Sequence, residues 1–417
     1  MNLTEKALSA AKTLGGKSGL NCIAELDPTA IEQAKKYESN NDSDLPLAGI
    51  PVLVKDNIDV KGLHTTAGSL AMTDNLAKSD APIITNLRRN GAVILGKTNL
   101  TEFANYVTDG MPGGYSSRGG QVIHAVNPEL SPSGSSSGSA VAVSAGIVSM
   151  AVGTDTCFSI IQCAAANGIC GLKPPVGQLS QKGIIPIASS FDSAGPLAHN
   201  LSDALKLYSG MRDDPLPALT PARLDKLKIA VNRAGEKMIP KDMLDFLRQF
   251  IHKIEAGGAE ISEVTQKSSP EMGIMMKWEF KPMLEAYLKE SGTCFKTLDE
   301  IVKYYESHPD TMMKYGDSRL RASLDETPGG LQGKTYLEAV KVREKTIERI
   351  SNELRAFDAV IVTGPTDVMH FCGMPSVTIA GNIKTDDGIN QTLILYGCDE
   401  YRLYEAALAL EWLMLEN

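Results

Sequence analysis

The chain has 417 residues, of which 43% are hydrophobic and 22% charged, enough apolar material for a sizeable core and too much for a disordered chain. Its formal net charge of −9, with no Lys/Arg cluster standing out, argues against a nucleic-acid surface. The start, MNLTEKALSAAKTLGG, has no apolar signal-peptide core, and no uninterrupted run of roughly 18 apolar residues predicts a membrane span.

Residues 3–14 and 28–38 predict two helices, the second entered through Asp27 and Pro28. Leu47–Val54 is apolar and β-branched, which predicts a buried strand delivering Lys55 at its end. Residues 80–91 predict a helix stopped by Gly91, and Ala92–Gly96 the next strand. Residues 103–130 are punctuated by glycine and predict loop. Ser131–Pro174 then combines a Gly/Ser cluster, the apolar run AVAVSAGIVSMAV, a Gly-Thr-Asp-Thr turn, a lone serine at Ser159 and a glycine-rich exit. A linker would be polar throughout, whereas this apolar run must be buried, as a tight polar loop set against a rigid scaffold requires.

Further on, Ile184–Ser190 predicts a short strand and Leu201–Ser209 a helix. Pro215, Pro217 and Pro221 mark a change of composition over 213–225. A strand begins at Lys226–Val231, a helix follows over 240–256, and 275–354 is mostly helical with a break at Thr327–Gly330. Phe357–Thr363, Ser376–Ala380 and Thr392–Tyr396 predict strands, and Tyr401–Leu415 a closing helix. This alternation predicts an α/β layered core. The organisation expected is one domain over 1–417: a sheet core over 1–212, a variable helical cap or insertion over 213–354, and a return to the sheet over 355–417. Seven cysteines without a C-x-x-C pair predict reduced thiols and a cytoplasmic protein, most of them acting as small buried hydrophobes.

Three ordered segments carry the chemistry: GIPVLVKDNIDVKGLHTTAGS at 49–69, SGSSSGSA at 133–140 and GTDTCFSI at 153–160, followed by GLKP at 171–174. Together they resemble the amidase-signature family of serine amidases. RGGQVIHAVNP from Arg118, WEFKPMLEAYL from Trp278 and GLQGKTYLEAV from Gly330 look most like the branch that includes peptide amidases. They look less like the amidase-type chain of transamidases. The resemblance implies a large mixed sheet flanked by helices on both faces with a helical cap. It also implies hydrolysis of a carboxamide to a carboxylate and ammonia or an amine, without metal or cofactor. The partner expected is a small-molecule or peptide amide, with no nucleic acid and no membrane; a homodimer stays open.

The residues themselves point to the same chemistry. Amide hydrolysis needs a nucleophile, a base, a proton for the departing nitrogen and donors for the oxyanion. None of the six histidines lies in a motif suggesting a Ser-His-Asp triad, no G-x-S-x-G elbow occurs, and each histidine is read as a surface or satisfied polar group. A buried lysine can serve instead, because desolvation favours its neutral amine. Lys55, between PVLV and a polar turn, suits that role; the plainer alternative is a strand-end lysine paired with Asp56.

The resemblance then assigns Ser159 as nucleophile and Ser135, at a spacing of 159 − 135 = 24, as relay with a cis bond to Gly134. It gives the backbone N–H groups of Thr156, Cys157, Phe158 and Ser159 as oxyanion donors. Ser136 is expected to support the loop, and Thr154 and Asp155 to brace the turn. Ser133, Ser137 and Ser139 are expected to bond the backbone or cap a helix starting near Ser139.

Four positions depart from the family pattern. Cys157 and Phe158 replace Gly-Gly, Ile161 an arginine and Cys163 a proline. Phenylalanine at 158 predicts either an altered backbone or a filled acyl pocket. Two competing functions follow: an amidotransferase-type chain supplying ammonia to a partner, or an impaired amidase-fold binding protein. Cys157 as an alternative nucleophile has no activating histidine nearby in sequence.

Overall fold

A computed structural model describes residues 2–39 and 44–416. Its strands in chain order are β1 Ile23–Leu26, β2 Pro51–Lys55, β3 Val93–Thr98, β4 Tyr115–Ser116, β5 Gly120–Gln121, β6 Met150–Asp155, β7 Cys170–Lys173, β8 Ser193–Ala198, β9 Lys228–Asn232, β10 Glu260–Val264, β11 Ala359–Val362, β12 Ser376–Lys384 and β13 Asn390–Tyr396. β4 and β5 form a separate small hairpin. The other eleven make one sheet in the order β1-β3-β2-β6-β8-β7-β12-β13-β11-β9-β10. Pairing is parallel at β3/β2/β6 and at β11/β9/β10, and antiparallel elsewhere, so the sheet is mixed.

Strand alternation divides the central residues between two faces. Val52 and Val54 join one core cluster with Leu87, Leu201, Tyr208 and Leu410. Leu53 faces the other way, into a cluster with Ala7, Ala11, Val141 and Val143. Helices therefore cover both faces: Pro82–Arg89, Leu201–Met211 and Glu400–Leu415 on the first, Leu3–Thr13, Ala30–Ser39 and Ser137–Ser144 on the second. A third cluster gathers Phe103, Tyr106 and Phe191 with Phe280, Leu284, Leu298 and Tyr305 from the helices Glu271–Glu290 and Leu298–Ser307.

Most expected elements appear with their ends shifted by a few residues. The first helix starts through a full capping box at Asn2 and Glu5. The strand expected from Leu47 begins only at Pro51, because Leu47–Ile50 is held in a turn by Leu47 N–H to Asn90 O and Ile50 N–H to Leu47 O. Lys55 is consequently the last residue of the strand.

One expectation is overturned. Ile184–Ser190 is not a strand: apart from an isolated bridge between Ile58 and Ile184, it is a turn-rich segment. Asp192 organises it, accepting from the Ile187 and Ala188 amides through Oδ2 at 2.8 and 3.0 Å. The strand lies just beyond, at Ser193–Ala198, where a Gly-Pro pair hid it. The helical stretch over 275–354 also has more breaks than expected, running as Glu271–Glu290, Leu298–Ser307, Pro309–Met312, Ser318–Asp325 and Lys334–Leu354.

Candidate active site

The parallel strands β2 and β6 end side by side, so Lys55 and Asp155 emerge at the same carboxyl edge. Ligands in open α/β sheets gather at such edges. Lys55 shares the parity of Leu53 and so points to the face where the helix Ser137–Ser144 packs. That helix sits unusually close. A Cβ on Gly138 would fall 2.3 Å from Asn99 O and 2.6 Å from Cys22 O, which no side chain could satisfy. The polar loop before the helix is thereby pressed onto the strand ends, and the Gly134–Ser135 peptide in it is cis.

Lys55 is fully buried and its Nζ is ringed by oxygens: Ser135 Oγ at 2.7 Å, Thr154 Oγ1 at 2.8 Å, Ser136 Oγ at 3.0 Å and Thr154 O at 3.2 Å. Burial pulls its pKa down to about 7, against the opposing pull of Cys163, Asp155 and Asp192. The alternative pairing with Asp56 does not occur. Asp56 turns to Lys97, 3.4 Å away, and to Arg118 at 3.7 Å.

Ser135 is held from behind by the Thr101 amide, which donates to its carbonyl at 3.1 Å. Ser136 locks the loop to β6 by donating to Thr154 O, accepting from Thr154 N–H and giving its own amide to Ser159 O at 3.3 Å. That last bond sets Ser159 against the Ser135–Ser136 turn. The Ser159 hydroxyl has no hydrogen-bond partner among the described residues and its residue is 6% exposed. Ser137 donates to Ser133 O and Ser139 to Val152 O, the backbone roles expected of them. The helix starts at Ser137, two residues earlier than expected.

Asp155 braces the turn. Its Oδ2 accepts from the amides of Ile160 and Ile161 at 2.7 and 3.2 Å. Burial alone would raise its pKa, but His370, Lys173 and the Ile160 amide outweigh it and hold the carboxyl at about 2. Thr156 Oγ1 donates to Asp192 Oδ1 at 2.5 Å. Burial lifts Asp192 to about 7.

The departures are absorbed in different ways. Ile161 and Cys163 are buried in the core cluster beneath the helix Ile161–Ala166. Burial pushes the Cys157 thiol well up, away from the thiolate that a nucleophile needs. Phe158 keeps a left-handed backbone, φ +68°, despite its side chain. Its ring packs on the imidazole of His370 with centroids 4.3 Å apart and against the cluster containing Met369 and Val360. Its amide donates to His370 Nε2 at 2.9 Å, so this N–H is engaged, whereas those of Cys157 and Ser159 carry no hydrogen bond among the described residues. Sequence reading gave His370 no part in the site; nothing in the run 368–371 distinguishes it from a buried polar residue. Among the described residues no histidine hydrogen-bonds Ser135 or Ser159.

A cleft of about 610 Å³ lies to one side, between 75–86, 181–192 and 283–292. Lys55, Ser135 and Ser159 do not line it; it reaches the site region only at Asp192. The cap closes over this side. Glu279, 1% exposed, accepts from Ser190 Oγ at 2.6 Å, Ser190 N–H at 2.9 Å, Ser189 Oγ at 3.1 Å and Tyr336 OH at 3.1 Å. Arg343 donates to Phe371 O at 2.8 Å and Ser190 O at 3.0 Å.

Comparison with known proteins gives a consistent picture. Residues 2–374 match the model of the family described as Amidase. A probable amidase of Arabidopsis thaliana is 31% identical, aligned over 94% of this chain and 83% of its own length. A glutamyl-tRNA(Gln) amidotransferase chain of Symbiobacterium thermophilum is 35% identical over 61% of this chain and 57% of its own length. Among solved structures, the native peptide amidase of Stenotrophomonas maltophilia superposes with a TM-score of 0.89 at 29% identity, covering 99% of this chain and 93% of that one.

Proposed function

The chain belongs to the amidase family and is an amide-hydrolysing enzyme, and from that premise we propose that it cleaves a carboxamide through an acyl-Ser159 intermediate, with Ser135 and Lys55 moving the proton. The observation that carries the reading is the buried Lys55 amine, drawn down to about 7 and 2.7 Å from Ser135 Oγ. A serine hydroxyl is too weakly acidic to attack an amide near neutral pH unless a base takes its proton. Here the neutral amine takes the Ser135 proton, and Ser135 takes that of Ser159. Ser159 Oγ then forms the bond to the carbonyl carbon. The oxyanion accepts from free backbone amides, each such donor contributing about 2.7–4 kcal/mol. Collapse breaks the C–N bond as the proton returns through Ser135 to the departing nitrogen, and water releases the carboxylate by the same route in reverse.

The substrate class proposed is a small-molecule or peptide carboxamide, in keeping with the peptide amidase likeness. The test is ammonia release across aliphatic, aromatic and C-terminal peptide amides by wild type and Ser159→Ala. Turnover by the wild type that Ser159→Ala abolishes supports the reading; a variant that keeps wild-type turnover ends it. Ammonia release that requires added partner chains would favour the transamidase-type function instead.

A further inference from the structure

We infer that His370 is a positioning residue that holds the Phe158 peptide in its left-handed conformation and so keeps the Cys157–Ser159 turn in working shape. The inference rests on the reading of Ser159 as nucleophile. A φ of +68° is free for glycine and unfavourable for phenylalanine, so the conformation persists only where the surroundings impose it. Two of the contacts imposing it come from one side chain. His370 Nε2 accepts the Phe158 N–H at 2.9 Å, and the imidazole lies against the phenyl ring at 4.3 Å. Nδ1, also buried, has no hydrogen-bond partner among the described residues, so Nε2 makes the ring's polar contacts. Asp155 Oδ1 stands 3.0 Å from the same Nε2, while its Oδ2 holds the amides of Ile160 and Ile161. The imidazole thus sits between the two ends of the turn that presents Ser159.

His370 is itself fixed. It is fully buried in the short helix Val368–Phe371, whose last carbonyl accepts from Arg343. Where the related motif carries glycine, the turn needs no such support. This chain combines a phenylalanine with a histidine that restrains it, so the two positions form one unit.

A double-mutant cycle tests this, with kcat and KM for ammonia release and hydrogen exchange of the 154–162 segment as readouts. His370→Ala is expected to lower kcat about tenfold or more with KM within about threefold, and to speed exchange at 154–162. His370→Gln keeps an acceptor near the Nε2 position and is expected to stay within about threefold of wild type. Adding Phe158→Gly to His370→Ala is expected to bring kcat to the level of the Phe158→Gly single variant, because glycine takes the conformation unaided. The inference is overturned if His370→Ala lowers kcat by the same factor in both backgrounds, or if it leaves exchange at 154–162 unchanged. Should His370→Ala fail to fold by thermal unfolding, Phe158→Gly with and without His370→Gln or His370→Ala gives the same comparison. If Ser159→Ala keeps turnover, the proposed function falls, and the exchange measurement alone decides the positioning role.

Discussion

Lys55 and Ser135 lie 80 residues apart in sequence and meet with Nζ and Oγ 2.7 Å apart, both side chains closed off from solvent. A lysine so placed holds its proton weakly, because the charged form has lost its hydration without gaining a carboxylate among its hydrogen-bond partners. The consequences can be measured.

Ser159→Ala and Ser135→Ala are each expected to lower kcat by roughly a thousandfold or more while the fold is kept, since each removes a group the others cannot replace. Steady-state kinetics of ammonia release, with circular dichroism as the folding control, checks both. Combining the two should cost little beyond the larger single effect.

The acid limb of kcat/KM is expected to fall away below about pH 7. Lys55 must be neutral to accept a proton, and its pKa stands at about 7, so the active form is lost as pH drops through that value. A pH–rate profile with a substrate that does not titrate there tests this. A limb centred near the ordinary lysine value would contradict it.

Lys55→Met is expected to be inactive yet to gain stability relative to wild type in neutral and acid solution. The folded pKa of about 7 lies below the ordinary lysine value of 10.5, so the wild-type chain sheds a proton on folding between those limits. Its stability from this group therefore rises with pH across that window, by up to about 1.4 kcal/mol per pH unit, and the penalty is full below pH 7. Urea unfolding of both proteins at several pH values should show their difference shrinking as pH increases from 7.

Glu279→Ala is expected to destabilise the protein by roughly 2–3 kcal/mol, because it leaves the Ser189, Ser190 and Tyr336 donors without their acceptor. Denaturant titration reads that loss. Activity should fall with a raised KM if the cap helix Glu271–Glu290 shapes the substrate side.

Several of these groups were legible in the sequence because local pattern and position coincide. PVLV followed by a lysine reads as a buried strand with a lysine at its end, and the Gly/Ser loop before a small-residue helix reads as a close approach, whereas the roles expected of Lys55, Ser135 and Ser159 came from the family resemblance. What stayed hidden depended on long-range partners. Ser193–Ala198 carries Gly and Pro, yet it is a central strand because β6 and β7 pair with it on both sides. Phe158 offered two sequence outcomes, an altered backbone or a filled pocket, and its backbone keeps a left-handed φ of +68°. Its ring packs at a tilt against a histidine 212 residues away. No window of neighbouring residues contains that contact.

The strand order has a consequence for how the molecule is made. β12 and β13, near the end of the chain, sit between β7 and β11 and join the two parts of the sheet. A ribosome must therefore pass Tyr396 before those parts can zip together. A product ending ahead of Ser376 would present two bare strand edges to its neighbours, the condition that draws nascent chains into aggregates.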